Sequence, residues 1–190
     1  MAIVLASGSP RRKELMEMLG FKDMMIIPAK GEEKADLSLE PGIIVEKLSE
    51  AKAQEVAALR PAGDVVIGAD TIVWLDGKIM GKPHSEKEAA EMLGSLSGRA
   101  HTVYTGVTVI NGAKAVSRHE RSRVHFRELD EKEIQAYIKT GEPMDKAGAY
   151  GAQGLGALFV RGIEGDFFNV MGLPVCLLGE MLKEQGVVIL

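Results

Sequence analysis

Cysteine is nearly absent. Cys176 is the one thiol among 190 residues, so the chain can form no internal disulfide and has no multi-cysteine metal site. Its neighbours in Leu173-Pro-Val-Cys-Leu-Leu are apolar, which predicts a buried structural thiol. Aromatic residues make up only 5%, and 27 acids outnumber 23 basic residues for a formal net charge of -4. A basic stripe with interleaved aromatics is missing, so neither a stable nucleic-acid partner nor an anionic membrane is expected, and any polyanion site must be local. Nowhere do roughly 18 apolar residues run together, and Met1-Ala-Ile-Val-Leu-Ala-Ser lacks a basic leader region. The expectation is a soluble, unexported protein.

Several catalytic signatures are missing too. Gly77-Lys78 is followed by Ile79 and Gly81-Lys82 by Pro83, so neither pair makes a phosphate loop with a Ser or Thr for magnesium. His84, His101, His119 and His125 lack the helical two-histidine metal spacing and read as mostly surface or turn residues. There is no G-x-S-x-G elbow, and Cys176 has no activating partner in view, which leaves covalent catalysis unsupported. Without repeats, low-complexity tracts or a linker, residues 1–190 read as one domain.

What is present begins with a strand-to-helix corner. Ile3-Val-Leu-Ala is a consecutive apolar run, as in a buried strand. Ser9 is placed as an N-cap, Pro10 at the first helical position, Leu15/Met18/Leu19 as an apolar stripe and Gly20 as the stop. After Pro41, Ile44, Leu48, Ala51, Val56 and Leu59 recur at roughly helical spacing until Arg60-Pro61. Val65-Val-Ile-Gly-Ala-Asp reads as a buried strand ending in a carboxylate. Asp76-Gly77 predicts a hairpin between Ile72–Leu75 and Lys78–Met80, and Asn111-Gly112 another between Thr102–Ile110 and Lys114–Phe126. Ser85-x-x-Glu88 and Asp130-x-x-Glu133 are capping boxes for helices at Ser85–Ser95 and Asp130–Lys139. A short strand at Ala157–Val160 and a helix at Pro174–Gln185 close the chain. Together these predict an α/β fold: a mixed, twisted sheet flanked by helices, an arrangement compatible with a cleft between two lobes that the sequence alone does not show.

The chemistry-bearing residues cluster at the ends of these elements. In Ala6-Ser-Gly-Ser-Pro-Arg-Arg, the hydroxyls of Ser7 and Ser9 and the N–H groups of a helix start can converge on an anion. Arg11 and Arg12 stand in the first turn, where the helix dipole disfavours cations, so something negative is expected beside them; two solvated arginines are the bland alternative. Asp70-Thr71 places a carboxylate and a hydroxyl after an apolar strand, as at a ligand site or simply at a turn. Glu32 and Glu33 add hard oxygen donors that with Asp70 would suit a divalent cation, though paired glutamates are also an ordinary solvated loop. Lys52, Lys82 and Lys146 each sit beside small or rigid residues, with the ammonium available to phosphate or merely to solvent. Gly148-Ala-Tyr-Gly-Ala-Gln-Gly-Leu-Gly is too rich in glycine for a helix and suits a loop approached closely by a ligand, in which Tyr150 and Gln153 offer a ring and an amide to a base. It lacks the preceding strand and following helix of a dinucleotide fingerprint.

With these segments the chain resembles the Maf family, septum-formation-inhibitor proteins regarded as nucleotide pyrophosphatases. The resemblance rests on Leu5-Ala-Ser-Gly-Ser-Pro-Arg-Arg-Lys-Glu-Leu, Ile67-Gly-Ala-Asp-Thr, Gly81-Lys-Pro, Leu96-Ser-Gly-Arg, Gly141-Glu-Pro-Met-Asp-Lys-Ala-Gly-Ala-Tyr-Gly-Ala-Gln-Gly and Val170-Met-Gly-Leu-Pro. The glycine-rich segment is similar to that of the subgroup acting on dTTP and UTP rather than on 7-methyl-GTP. The resemblance implies an α/β fold of the Maf/ITPase kind, a nucleotide-binding cleft, a cytoplasmic location, a homodimer and a divalent cation, Mg²⁺ or Mn²⁺. It makes Asp70 the catalytic acid–base or water-orienting group, gives specificity positions to Arg11, Thr71 and Gln153, and lays Arg12, Lys52, Lys82 and Lys146 along the triphosphate. It matches an acid at Glu32 or Glu33 without deciding which. The expected reaction is hydrolysis of a nucleoside triphosphate to monophosphate and pyrophosphate, by a water oriented by Asp70 or by the metal. The family's other name points to an alternative, a nucleotide-responsive regulator of septum formation that binds without cleaving.

Overall fold

The computed structural model describes residues 1–31 and 34–189. Its strands are β1 (Ile3–Leu5), β2 (Met25–Ile26), β3 (Val65–Leu75), β4 (Lys78–Met80), β5 (Ala100–Asn111), β6 (Lys114–Phe126) and β7 (Val160–Glu164). Its helices are α1 (Pro10–Met18), α2 (Pro41–Ala57), α3 (Glu86–Leu96), α4 (Glu131–Ile138), α5 (Phe167–Met171) and α6 (Val175–Glu184). Among the described residues the strands form one mixed sheet in the order β2-β1-β3-β5-β6-β7, with β4 paired to β3. β1 runs parallel to β2 and β3, whereas β3–β4 and β6–β7 are antiparallel. This is the α/β class and mixed sheet expected from the sequence.

The chain divides into two compact units. The first comprises Met1–Asp70, Thr105–Glu120 and Gly172–Leu190, and the second Thr71–Tyr104 and Arg121–Met171. In the first unit, Val4 and Val66 of the sheet pack with Ala53 and Val56 of α2, all at most 1% exposed. In the second, Leu93 and Leu96 of α3, Ile134 and Ile138 of α4 and Val103, Val124 and Phe126 of the sheet share one core with Tyr137, Tyr150 and Phe159. Each fully buried Leu or Ile there contributes about 1.5–3 kcal/mol of apolar burial.

Local signals are realised where the chain itself satisfies them. The Asp130 side chain accepts from the Glu133 N–H while the Glu133 side chain accepts from the Asp130 N–H, a complete capping box. Ser85 accepts from the Glu88 N–H at 3.1 Å, but Glu88 reaches the N–H of His84 instead of that of Ser85. Asp76 and Gly77 both take positive φ, 51° and 78°, as the tight hairpin demands.

The structure corrects the sequence reading at several points. β3 does not end at Asp70 but continues to Leu75, so the carboxylate stands in mid-strand. The second hairpin turns on Gly112-Ala113, with Asn111 still in β5 and a positive φ at Gly112 alone. Leu155–Phe159 is a 3-10 turn, and the strand starts only at Val160. In α1 the buried pair is Leu15 and Met16, with Met18 57% exposed. Ala51 is exposed and Leu59 lies beyond the end of α2, 71% exposed, so neither joins its buried stripe. Cys176 is exposed. The buried face of α6 is Leu178, Met181 and Leu182, and Cys176, two residues before Leu178, falls about 200° around the helix from it.

Candidate functional site

In the first unit, the chain leaves β1 at Leu5 and Ala6 N–H still bonds the Ile67 carbonyl at 2.8 Å, which fixes the corner to β3. Ser7, 7% exposed, accepts from the Ser9 N–H at 3.3 Å and from Arg12 Nη1 at 3.0 Å. Arg12 Nε donates to the Gly172 carbonyl at 2.8 Å. Arg12 is therefore held in a set direction rather than waving in solvent. Ser9 is the N-cap of α1 in extended conformation, yet its side chain makes no cap bond, and the first turn of α1 holds no acid. Arg11 is half-buried in the same turn.

Asp70 is 6% exposed. Lys52 Nζ donates to its Oδ1 at 2.5 Å, and the two side chains are 15% and 8% exposed. Close packing of α2 on β3 makes this pair: a Cβ on Gly68 would collide with the Ser49 carbonyl and with Ala53, which flank Lys52 along α2. Glycine at 68 thus permits the approach that delivers an ammonium to the carboxylate. Thr71 follows in β3 and is half-buried.

In the second unit, Lys82 is exposed in the loop after β4. Gly148 N–H bonds the Gly81 carbonyl at 3.0 Å, which ties that loop to the turn bearing Lys146. Lys146, 14% exposed, donates to the Glu142 carbonyl at 2.7 Å and to Asp145 Oδ1 at 2.6 Å, which fixes the direction of its ammonium. Gln153 is exposed in the glycine-rich loop.

The structure thus brings Ser7, Ser9 and Arg12 together, pairs Lys52 with Asp70, and joins the loops of Lys82 and Lys146. It departs from the sequence reading at Tyr150, whose ring is 6% exposed in the core, edge-on to Phe126 and His101. His101 is itself only 2% exposed, not a surface residue, and its Nε2 lies 2.7 Å from the Tyr150 hydroxyl. Burial, with the nearby charge of His125, pushes the His101 imidazole down to about 4. Glu32 and Glu33 lie outside the described residues. Sequence reasoning missed the Lys52–Asp70 pair, whose members are 18 positions apart and share no motif, and it missed Glu142, whose carboxylate accepts from the Leu155 and Gly156 N–H groups of the glycine-rich loop.

Residues 2–185 match the family model described as Maf-like protein. The chain is 52% identical over 189 residues to a dTTP/UTP pyrophosphatase of Moorella thermoacetica, covering 97% of this chain and 95% of the relative. It is 48% identical over 186 residues to one of Bacillus pumilus, covering 97% of each. Among solved structures, the Staphylococcus aureus Ham1 protein is similar in fold, with a TM-score of 0.51 at 15% identity over 97% of this chain and 100% of that one. With a family match that spans nearly the whole chain and relatives near half-identical from end to end, this chain belongs to the Maf-like protein family.

Proposed function

We propose that this protein, acting as one Maf-like domain, hydrolyses dTTP and UTP to the monophosphate and pyrophosphate. The observation that carries the reading is the buried Asp70 carboxylate held at 2.5 Å by Lys52. A carboxylate with so little exposure is a costly neighbour for a polyphosphate, and it is useful there only if it handles a water or a cation. The names of the half-identical relatives supply the substrate class.

Lys52 has two competing anions in this account, Asp70 and the substrate. Transfer of the ammonium toward a phosphate oxygen releases Asp70 to accept a hydrogen bond from water. The oriented water attacks the α phosphorus in line, its oxygen forming the new P–O bond as the bond to the α–β bridging oxygen breaks. Asp70 takes up the proton, and the bridging oxygen leaves with pyrophosphate. Arg12, held in place by Ser7 and the Gly172 carbonyl, needs little reorganisation to meet the growing negative charge, the condition under which a cation stabilises a transition state most. Ser7 and Ser9 add donors at the same corner, and Arg11, Lys82 and Lys146 are assigned to the phosphates. Arg11, Thr71 and Gln153 take the specificity role.

The resemblance calls for a divalent cation. Among the described residues no group of three or more His, Cys, Asp and Glu side chains could hold one. The donor chemistry nevertheless fits Mg²⁺ or Mn²⁺, which commonly binds through one or two carboxylates together with substrate phosphate oxygens; Asp70 would hold it, with Glu32 or Glu33 assigned as the second carboxylate. Bound there, the ion would neutralise phosphate charge. Among the described residues no helix is long and apolar enough to cross a membrane; a cytoplasmic homodimer without a nucleic-acid partner is our reading of the setting.

The test is a panel of nucleoside triphosphates with Mg²⁺ and with Mn²⁺, measured as kcat/KM. The highest values are expected for dTTP and UTP. A preference for purine triphosphates would overturn the substrate assignment.

A further inference from the structure

The glycine-rich loop is fastened by two side chains that the catalytic account does not use. Glu142 Oε2 accepts from the Leu155 N–H at 2.9 Å, while its Oε1 accepts from the Gly156 N–H at 3.2 Å and from the Tyr137 hydroxyl at 2.8 Å. The Tyr137 oxygen in turn accepts from the Gly151 N–H at 3.2 Å. Both stems of the segment 151–156 are therefore tied to one phenol–carboxylate pair, with exposed Gln153 between them. The anchor is stiff. Tyr137 belongs to α4, whose start carries the complete capping box, and its ring is 4% exposed and edge-on to Phe159, with centroids 4.9 Å apart.

The same contacts explain the glycines. A Cβ at Gly154 would collide with the Glu142 carboxylate, and one at Gly156 would press on the Tyr137 hydroxyl. Glycine is needed because the Glu142 carboxylate at 154, and the Tyr137 phenol together with the Gly151 backbone at 156, come so close, a reason different from the approach of a ligand. Burial would push the Glu142 carboxyl up, but the N–H groups of Leu155 and Gly156, the Tyr137 hydroxyl and the Lys146 charge together hold it below its usual value. The clamp therefore stays ionised at neutral pH, and its hydrogen bonds are of the stronger, charge-assisted kind.

We propose that Glu142, acting with Tyr137, is a positioning residue for base recognition: it fixes the loop so that the Gln153 amide is presented to the base in one orientation. This rests on the reading of Gln153 as the group that meets the base. A glutamine amide donating to O4 and accepting from N3–H of uracil or thymine reads them only if its own direction is fixed, since the flipped amide suits cytosine. Loosening the clamp should thus erase discrimination before it slows the chemistry.

The experiment measures kcat and KM for UTP, dTTP, CTP and GTP in the wild type, Gln153→Ala, Glu142→Gln, the double variant and Tyr137→Phe. Glu142→Gln keeps one acceptor but turns an NH₂ group against a backbone N–H. It is expected to lower the UTP-to-CTP ratio of kcat/KM about tenfold, through KM, with kcat for UTP changed less than about threefold. Tyr137→Phe should move the ratio the same way. The double variant should discriminate no worse than Gln153→Ala, because the clamp acts through that amide. If Gln153→Ala changes the ratio while Glu142→Gln and Tyr137→Phe do not, the positioning role is wrong and the base-reading role stands. If Gln153→Ala leaves the ratio unchanged, the base is read elsewhere and both fall. A further loss in the double variant would show that Glu142 acts by another route and would overturn the proposal. Should Glu142→Gln not fold, Tyr137→Phe decides by the same ratio.

Discussion

Replacing Asp70 by Asn removes one charge at almost constant volume and separates the two roles this carboxylate could have. In the structure Asp70 neutralises Lys52, and both side chains are largely withdrawn from water, at 8% and 15% exposure. Removing one partner of a buried pair costs about 3–5 kcal/mol when the other is stranded; the residual exposure of Lys52 lets its ammonium reach water, so about 3 kcal/mol or less is expected here. As a positioned acid–base group, Asp70 should carry at least about a hundredfold in kcat, equivalent to roughly 2.7 kcal/mol of barrier. The two losses part company in Asp70→Asn combined with Lys52→Met. That double variant removes the stranded charge and should regain most of the stability, while its turnover stays low. Chemical denaturation and saturating kcat with UTP and Mg²⁺, measured on the wild type and both variants, give the comparison. A folded Asp70→Asn enzyme with near-normal kcat and only reduced stability would show that the carboxylate is a structural counter-ion and refute the mechanism.

Arg11→Ala and Lys82→Ala should each raise KM and lower kcat for UTP together, because a charge on the phosphates acts in ground and transition states alike; steady-state kinetics with unchanged values would remove the residue from the site. Gly154→Val should harm all four base types, since its side chain meets the Glu142 carboxylate, and a loss confined to one nucleotide would contradict that. His101 titrates near 6.5 when unfolded and near 4 when folded, so its contribution is present above about pH 6.5 and is lost as pH falls toward 4. The amount is on the order of 3 kcal/mol, and denaturation across that window should show a shallower pH dependence in His101→Gln. Equal dependences in both proteins would count against a buried neutral imidazole.

What was legible in the sequence was what neighbouring residues decide among themselves. The Asp130 capping box, the Asp76-Gly77 turn and the Ser9-Pro10 helix start each need only a few adjacent side chains, and all three lie where the sequence predicts. Asp70 reads as a strand end because aspartate disfavours strands, whereas in the structure β3 runs on through it to Leu75 as a strand with neighbours on both sides in the sheet. Tyr150 looked available to a base because nothing nearby in sequence shows its partner, His101, 49 positions away. The abundance of glycine around Gln153 was visible, but its cause was not, since the Glu142 carboxylate arrives from outside the loop. Cys176 illustrates a different limit: an apolar run in a helix does not say which way each member faces.

Cleavage between the α and β phosphates is read from the identity of the products. Purified protein is incubated with UTP or dTTP and Mg²⁺ or Mn²⁺, and the nucleotides and phosphates are separated by ion-exchange chromatography. UMP or dTMP and pyrophosphate are expected in equal amounts, with no diphosphate at any time; UDP or dTDP with orthophosphate, or binding of the triphosphate without any turnover, would refute α–β cleavage.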